Sequence, residues 1–293
     1  MKLDLLTRIF GPPPQPEPLP RLEPFLTGQA IATALFEGRP FLASRLGWEE
    51  ATAVWRGRIE GESTPAIRQR LWKHAGVFPD RAEIFDIFVE RYLSAIPKID
   101  LLGVMGIPFE RDLLEYQSAD PILGELSGLE PYFSPSPWSS ALEGKRVLVV
   151  HPFSQSIQEQ YEKKRQLLFA DPRILPQFDL SVIAPPQTIA GNTADHSDWS
   201  AAFDSLCRQV AAADFEVAIL GCGGYGLPLG GFIKDLGKAC IHIGGATQIL
   251  FGIWGARWRG NADFRALSTS AWVSPREGEK PPGADSVEGG CYW

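Results

Sequence analysis

FEVAILGCGGYGLPLGGFIKDLGKACIHIGGATQ, residues Phe215–Gln248, reads as strand, glycine turn, helix, strand and second glycine turn, with a further helix opening at Ala246. Val217–Leu220 is a short apolar run with no charge inside it, which suits a strand covered on both faces. Gly221, Gly223, Gly224 and Gly226 then let the backbone turn sharply and lie close to whatever fills the adjoining crevice. Leu227–Leu236 continues as a helix whose free N–H groups point back at that crevice. Ala239–Ile243 repeats the strand, and His242, Gly244 and Gly245 repeat the turn. Two neighbouring parallel strands that both end in glycine build a cleft at the carboxyl edge of a sheet. Such an edge binds phosphorylated ligands through helix dipoles and backbone donors.

The rest of the chain fits this pattern. Pro40–Leu46, Asp100–Met105, Lys145–His151 and Leu180–Ala184 read as further strands, the third on its β-branched run. Gly28–Phe36, Trp48–Arg58, Ala66–Ala75, Arg81–Ile96, Ser154–Phe169 and Asp195–Ala213 read as helices between them. Leu113–Gly128 reads as broken helix and Glu130–Trp138 as a proline-rich loop. In Arg81–Ile96 the residues Ile84, Ile87, Phe88, Tyr92 and Ala95 form one apolar face. Arg91 falls inside it, so it either snorkels outward or meets a buried partner. Alternating strand and helix gives an α/β fold, an open, mostly parallel Rossmann-like sheet with helices on both faces. The expected organisation is an extended Pro-rich arm over 1–24, a single domain over 25–273, and a tail over 274–293. That tail ends in VEGGCYW, and exposing Tyr292 and Trp293 is costly, so it is expected to dock near the cleft.

Composition bounds the function. The chain has 293 residues, 44% hydrophobic and 22% charged, enough apolar surface for a substantial core. A net charge of −7 with no basic run argues against nucleic acid as a partner. No apolar stretch reaches the ~18 residues needed to span a bilayer. MKLDLLTRIFGPPPQPEPLP lacks the apolar core and cleavage site of a secretory signal, so a cytoplasmic location is expected. Cys207, Cys222, Cys240 and Cys291 are scattered without CxxC spacing and read as idle thiols.

Four places concentrate chemistry. In Ser44–Glu50, SRLGWEE, a strand ends, Gly47 turns, and Glu49 and Glu50 open a helix. Those acids either complement the helix dipole, or Arg45 meets a phosphate while Glu50 meets a metal, a sugar hydroxyl or an acceptor proton. His151 ends a strand, where it is either a core histidine or a ligand group. The GCGGYG turn with Tyr225 resembles a dinucleotide or S-adenosylmethionine turn. Such a turn follows the first strand of its fold and has an acid ~20 residues on; here it comes late and the next strand ends in His242, which counts against both cofactors. Finally, Gly244 and Gly245 are either a packing pair with His242 incidental beside them, or the Gly245–Gln248 backbone, including Thr247, holds a pyrophosphate with His242 or Gln248 in contact; the two glycine turns on neighbouring strands favour the second.

With these residues in view, the chain resembles bacterial glycosyltransferase-like proteins of the GT-D fold, found in polysaccharide and glycoprotein biosynthesis. The matching blocks are SRLGWEE at Ser44–Glu50, VLVVHPFSQSIQEQY at Val147–Tyr161, the run Val217–Trp258, and the terminal VEGGCYW. The resemblance implies a Rossmann-like transferase that takes a nucleotide-sugar donor such as a UDP-sugar and a saccharide or glycoconjugate acceptor. In that family the first block reads Arg-x-Gly followed by Asp-x-Glu, whose acids serve a divalent cation and the donor diphosphate. Arg45, Gly47 and Glu50 match, but Trp48 stands in place of the first acid. Tryptophan cannot ligate Mn²⁺ or Mg²⁺, and Glu49 points about 100° away round the helix. Any cation would thus rest on Glu50 alone, and a cation-free site would use Arg45 and backbone donors instead.

The resulting expectation is a glycosyltransferase with Arg45, Glu50 and His151 as catalytic residues. Gly47, Gly221, Gly223, Gly224, Tyr225, Gly226, His242, Gly244, Gly245, Thr247 and Gln248 would contact the donor, with Tyr292 and Trp293 closing the cleft. The alternative is a non-catalytic nucleotide- or sugar-binding module of a polysaccharide assembly system.

Overall fold

The computed structural model describes residues 20–107 and 109–293. Among the described residues seven strands form one parallel sheet: β1 (Phe41–Ser44), β2 (Leu101–Val104), β3 (Ile122–Glu125), β4 (Arg146–Val150), β5 (Asp179–Ile183), β6 (Val217–Leu220) and β7 (Ala239–His242). Their order across the sheet is β3-β2-β1-β7-β6-β4-β5, every pair parallel. Except for Arg146 at the start of β4, the strands from β2 to β4 across the sheet are fully buried, whereas the edge strands β3 and β5 are half exposed. Continuous apolar runs in the centre follow from covering both faces.

Side-chain alternation sorts the strand residues into two cores. Leu42, Leu102, Leu148, Val150, Ala218, Leu220 and Cys240 face one. Phe41, Ala43, Leu101, Val147, Val149, Ile219 and Ile241 face the other. This is the two-residue period of a pleated strand.

The helices that matter for the cleft are α1 (Pro24–Glu37), α2 (Trp48–Arg58), α3 (Pro65–Ala75), α4 (Ala82–Ala95), α5 (Glu110–Tyr116), α6 (Ser154–Leu168), α7 (Trp199–Ala212), α8 (Gly226–Asp235) and α9 (Thr247–Leu250). After α9 come α10 (Ala256–Arg259) and α11 (Ala262–Leu267). Local chemistry sets several ends. Pro65 opens α3 behind Thr64, whose hydroxyl accepts from the Ile67 N–H at 3.4 Å, and Gly76 ends it at φ 79°. Asp198 caps α7 by accepting from the Ala201 N–H at 2.9 Å.

Topology places the crevice. Chain leaving β1 enters α2, α3 and α4, whose Val54, Leu71 and Phe88 belong to the first core. Chain leaving the neighbouring β7 enters α9, whose Ile249 and Leu250 belong to the second. The same divergence recurs between β6, followed by Leu229 and Ile233 of α8 in the first core, and β4, followed by Ile157 and Leu168 of α6 in the second. Where adjacent strands send their continuations to opposite faces, a gap opens beyond their carboxyl ends.

Several boundaries differ from the sequence reading. Leu113–Gly128 is helical at its two ends, in α5 to Tyr116 and in a 3-10 turn over Leu126–Leu129, but Ile122–Glu125 between them is an unforeseen edge strand. Leu22 joins that edge through its N–H to the Leu123 carbonyl at 2.8 Å. Gly124 on the same strand makes room for α1, the helix that follows Leu22, since a Cβ there would lie 2.5 Å from Thr27 Oγ1. The helix expected from Asp195 begins at Trp199. Residues 1–19 of the expected Pro-rich arm lie outside the described residues. Arg91 meets a partner at the surface, donating to Asp204 Oδ1 at 2.9 Å with its guanidinium 4.9 Å from the Phe203 ring. The four cysteines are buried and none is in a disulfide, and among the described residues no helix is long and apolar enough to cross a membrane.

Candidate active site

A cavity of about 480 Å³ occupies the crevice beyond β1, β7, β6 and β4. Arg45, Gly47, Glu50, His151, Gly221, Gly223, Tyr225, His242, Gly244, Gly245, Gln248, Tyr292 and Trp293 all line it. Gly224, Gly226 and Thr247 do not, and their surroundings explain why. A Cβ on Gly224 would lie 2.8 Å from the Ala75 carbonyl at the end of α3, and one on Gly226 would lie 2.2 Å from His242 Nε2. Thr247 is fully buried and donates its hydroxyl to the Leu220 carbonyl at 3.1 Å. These residues let protein segments close on one another. Gly221 serves the same end while still lining the cavity: its Cβ would meet His151 Cδ2 at 2.6 Å and the Gly244 carbonyl at 2.7 Å.

Arg45 is half-buried and its side chain lies over Gly244. Among the described residues its guanidinium makes no hydrogen bond or ion pair, while its backbone carbonyl accepts the Ser44 hydroxyl at 3.0 Å. A guanidinium held this way in a cleft is a ready partner for an anion.

Glu50 sits beside it in the first turn of α2, with a carboxylate oxygen packed against Gly47, where a Cβ would lie only 2.0 Å away. Burial raises its carboxyl above the ordinary range, while a backbone hydrogen bond and Arg45 pull the other way. Trp48, one position into the same helix, is 51% exposed at the cavity wall.

Two of the three histidines lining the crevice, His151 and His242, are disfavoured in their charged form by burial. Burial pushes His151 down to about 3, and burial followed by Arg45 pushes His242 to about 3. His151 Nδ1 accepts the Phe153 N–H at 3.0 Å, which commits that lone pair and puts the proton on Nε2. His151 therefore offers a hydrogen-bond donor and is unsuited to the base role expected from its sequence position. His242 Nδ1 lies 2.9 Å from Ser44 Oγ, tying the ends of β7 and β1 together. Tyr225 is also engaged: its hydroxyl lies 3.2 Å from Thr188 Oγ1, and its ring stacks on Trp199.

The chain terminus forms one wall. Tyr292 covers Gly245, where a Cβ would lie 2.4 Å from the ring. Gln248 Nε2 donates to the Tyr292 carbonyl at 3.1 Å, the Ala256 N–H to the Trp293 carbonyl at 3.0 Å, and the Arg257 N–H to the Cys291 carbonyl at 3.0 Å. The Arg257 guanidinium lies 5.0 Å from the Tyr292 ring centre and pairs with Glu288. The pyrophosphate seat expected over Gly245 is thus covered by Tyr292, and the Gly244 side of the turn faces Arg45 instead.

Comparison with known proteins adds the following. No family model and no curated protein matches the chain. It is similar to a solved domain of unknown function 1792 at 12% identity, covering 83% of this chain and 82% of that one, with a TM-score of 0.46. It is also similar to a solved structure of that domain described as having a distinct glycosyltransferase fold, at 12% identity, covering 75% and 82%, with a TM-score of 0.40.

The divalent cation implied by the motif can be tested against the residues present. Trp48 supplies no oxygen, and Glu50 belongs to no group of three ligand-type side chains among the described residues. The motif position therefore does not fit a cation. Sequence reasoning weighed Glu49 only as a stand-in for the missing acid, and it missed Arg70, His74, Met105, Thr188, Arg257 and Glu288 as cleft residues. His74 was a visible signal, being one of only four histidines, and Glu288 lies inside the VEGGCYW block.

Proposed function

We propose that this protein is a glycosyltransferase that uses a nucleotide-sugar donor, with a UDP-sugar as the first choice, and a saccharide or glycoconjugate acceptor of polysaccharide assembly. The observation that carries this reading is Arg45, an unpaired guanidinium half-buried at a sheet switch point and seated over the Gly244 turn. Such a place suits the diphosphate of a donor. Arg45 would neutralise the leaving nucleoside diphosphate as its oxygen takes the electron pair of the sugar C1–O bond. His151 Nε2–H would donate to the same anion. Glu50 would accept the acceptor hydroxyl proton as the new C1–O bond forms, its raised carboxyl being nearer the operating range of a general base. Residues 25–273 would act as one catalytic domain and the tail as a cover held by Gln248 and Arg257. The chemistry needs no cation at Glu50.

Calorimetric titration with UDP and a panel of UDP-sugars tests this reading. Binding that disappears in Arg45→Ala supports it; equal binding in wild type and Arg45→Ala removes the site assignment. A second reading, a binding module without turnover, is favoured by Tyr292 lying directly on Gly245 and by Trp48 in the place of an acid. Release of free sugar from any donor, measured with and without Mn²⁺, rejects that alternative.

A further inference from the structure

The wall of the cleft carries a second group of side chains that the donor reading leaves unused. Glu49 at the start of α2, His74 near the end of α3 and Glu288 in the tail each offer one ligand atom, and these atoms lie within 4.8 Å of one another. All three residues line the cavity. His74 also has a buried Nδ1 with no hydrogen-bond partner among the described residues. Both carboxylates are oriented by arginine. Arg70 donates to Glu49 through Nε and Nη2, each at 2.6 Å, and Arg257 donates to Glu288 Oε2. A carboxylate has about four lone-pair positions, so each keeps capacity for another partner. Arginine grips of this kind do for a carboxylate what outer hydrogen bonds do for metal ligands.

We propose that Glu49, His74 and Glu288 form a binding site for a first-row divalent cation of the Mn²⁺, Co²⁺ or Zn²⁺ class. An imidazole beside two carboxylates selects these ions over Mg²⁺ and Ca²⁺, which prefer oxygen throughout. With bonds of roughly 2.0–2.2 Å to nitrogen and oxygen, tetrahedral ligand atoms stand about 3.4 Å apart, so a pair at the 4.8 Å limit must close by somewhat more than about 1 Å. Glu288, on the half-exposed tail, supplies that movement. Three protein ligands leave coordination positions open toward the cavity. The site is separate from the motif position at Trp48 and Glu50, and it joins three segments remote in sequence, so a bound cation would clip the tail to the cleft wall.

The test is titration of the full chain with MnCl₂ and CoCl₂ in the absence of nucleotide, followed by calorimetry and by the visible absorption of Co²⁺. One cation per chain is expected. Glu288→Gln and His74→Gln should each weaken binding by at least about tenfold, the scale of losing even an outer partner of a metal site. The His74→Gln variant should also change the Co²⁺ spectrum, because a nitrogen ligand is lost. Thermal melts establish that both variants fold, and Glu159→Gln, in an exposed ion pair with Arg276, serves as an unchanged control. Absence of binding at millimolar cation, or wild-type affinity in either folded variant, overturns the proposal. With no nucleotide present, the outcome stands apart from whether the cleft accepts a nucleotide-sugar.

Discussion

The guanidinium of Arg45 rests on the α-carbon of Gly244: a Cβ at that glycine would lie 3.3 Å from both Cδ and Nη1 of the arginine. Gly244 has φ 76°, so it supplies both the left-handed backbone of the turn and the bare surface on which the arginine lies. A Gly244→Ala change should cost about 1–2 kcal/mol through the left-handed backbone alone and should also displace Arg45. Gly237→Ala is the matched control, because Gly237 has φ 77° with no atom within 4 Å of its Cβ position. Both variants should lose similar stability in urea titrations. Only Gly244→Ala should lose affinity for UDP, and equal affinity in the two would separate this turn from the ligand.

Tyr292 stands in the same relation to Gly245, but there the strain is purely steric. Gly245→Ala would place a methyl 2.4 Å from a ring carbon, and overpacking of this kind costs about 1–3 kcal/mol. The cost should shrink in a Tyr292→Ala background, so a double-mutant cycle should show clear non-additivity. Limited proteolysis supplies an independent reading: the tail should be cut faster in Gly245→Ala than in wild type. Additive effects would mean that the tail is not seated on this turn.

These two glycines illustrate what a sequence can and cannot reveal. The strands β6 and β7 were legible because both are short apolar runs ending in glycine, and burial on both faces leaves no other use for such runs. Their adjacency also followed from the helix between them. The purpose of each glycine was not legible. Within GCGGYG, Gly223 lines the cavity whereas Gly226 lies outside it and makes room for the His242 ring, and the residue is glycine at both. A missing side chain marks a close approach without saying whether ligand or protein approaches. The edge strand β3 escaped notice because ILGE is four residues long, contains glycine and is only partly buried, so its alternation is faint. Glu49, His74 and Glu288 could not be grouped from sequence, because only the path of α2, α3 and the tail brings them together.

Acid sensitivity should be conspicuous. His151 and His242 are held near 3 in the folded chain against an ordinary 6.5. Their folded values are depressed, so below about pH 6.5 the unfolded chain binds protons that the folded chain refuses. The stability they contribute is complete above pH 6.5 and is lost progressively as pH falls toward 3, by up to roughly 1.4 kcal/mol per pH unit for each residue. Glu130 works in the opposite sense, because burial lifts it to about 7. Its contribution is present below pH 4.5 and lost as pH rises through 7, offsetting one histidine between pH 4.5 and 6.5. Urea titrations from pH 8 to 4 should show a shallower decline in His242→Gln than in wild type. An unchanged slope would mean that His242 is not buried in its neutral form.

Under the proposed sugar transfer Glu50 and His151 would divide the remaining chemistry between them, and their variants should behave differently. The carboxyl of Glu50 is raised, and the base form exists only above that raised value. Transfer should therefore increase with pH through the range where this group ionises and then level off. Glu50→Gln should remove that limb and lower kcat by about 10²–10⁴-fold, the usual worth of a positioned base, with UDP affinity largely kept. His151 has already committed Nδ1 to the Phe153 N–H, so His151→Gln should weaken UDP binding while leaving the pH profile of kcat in place. The two variants thus make opposite demands on the same pair of measurements. If His151→Gln abolished the pH limb and Glu50→Gln preserved it, the base would have to be the histidine, and the Phe153 hydrogen bond would have to break during turnover.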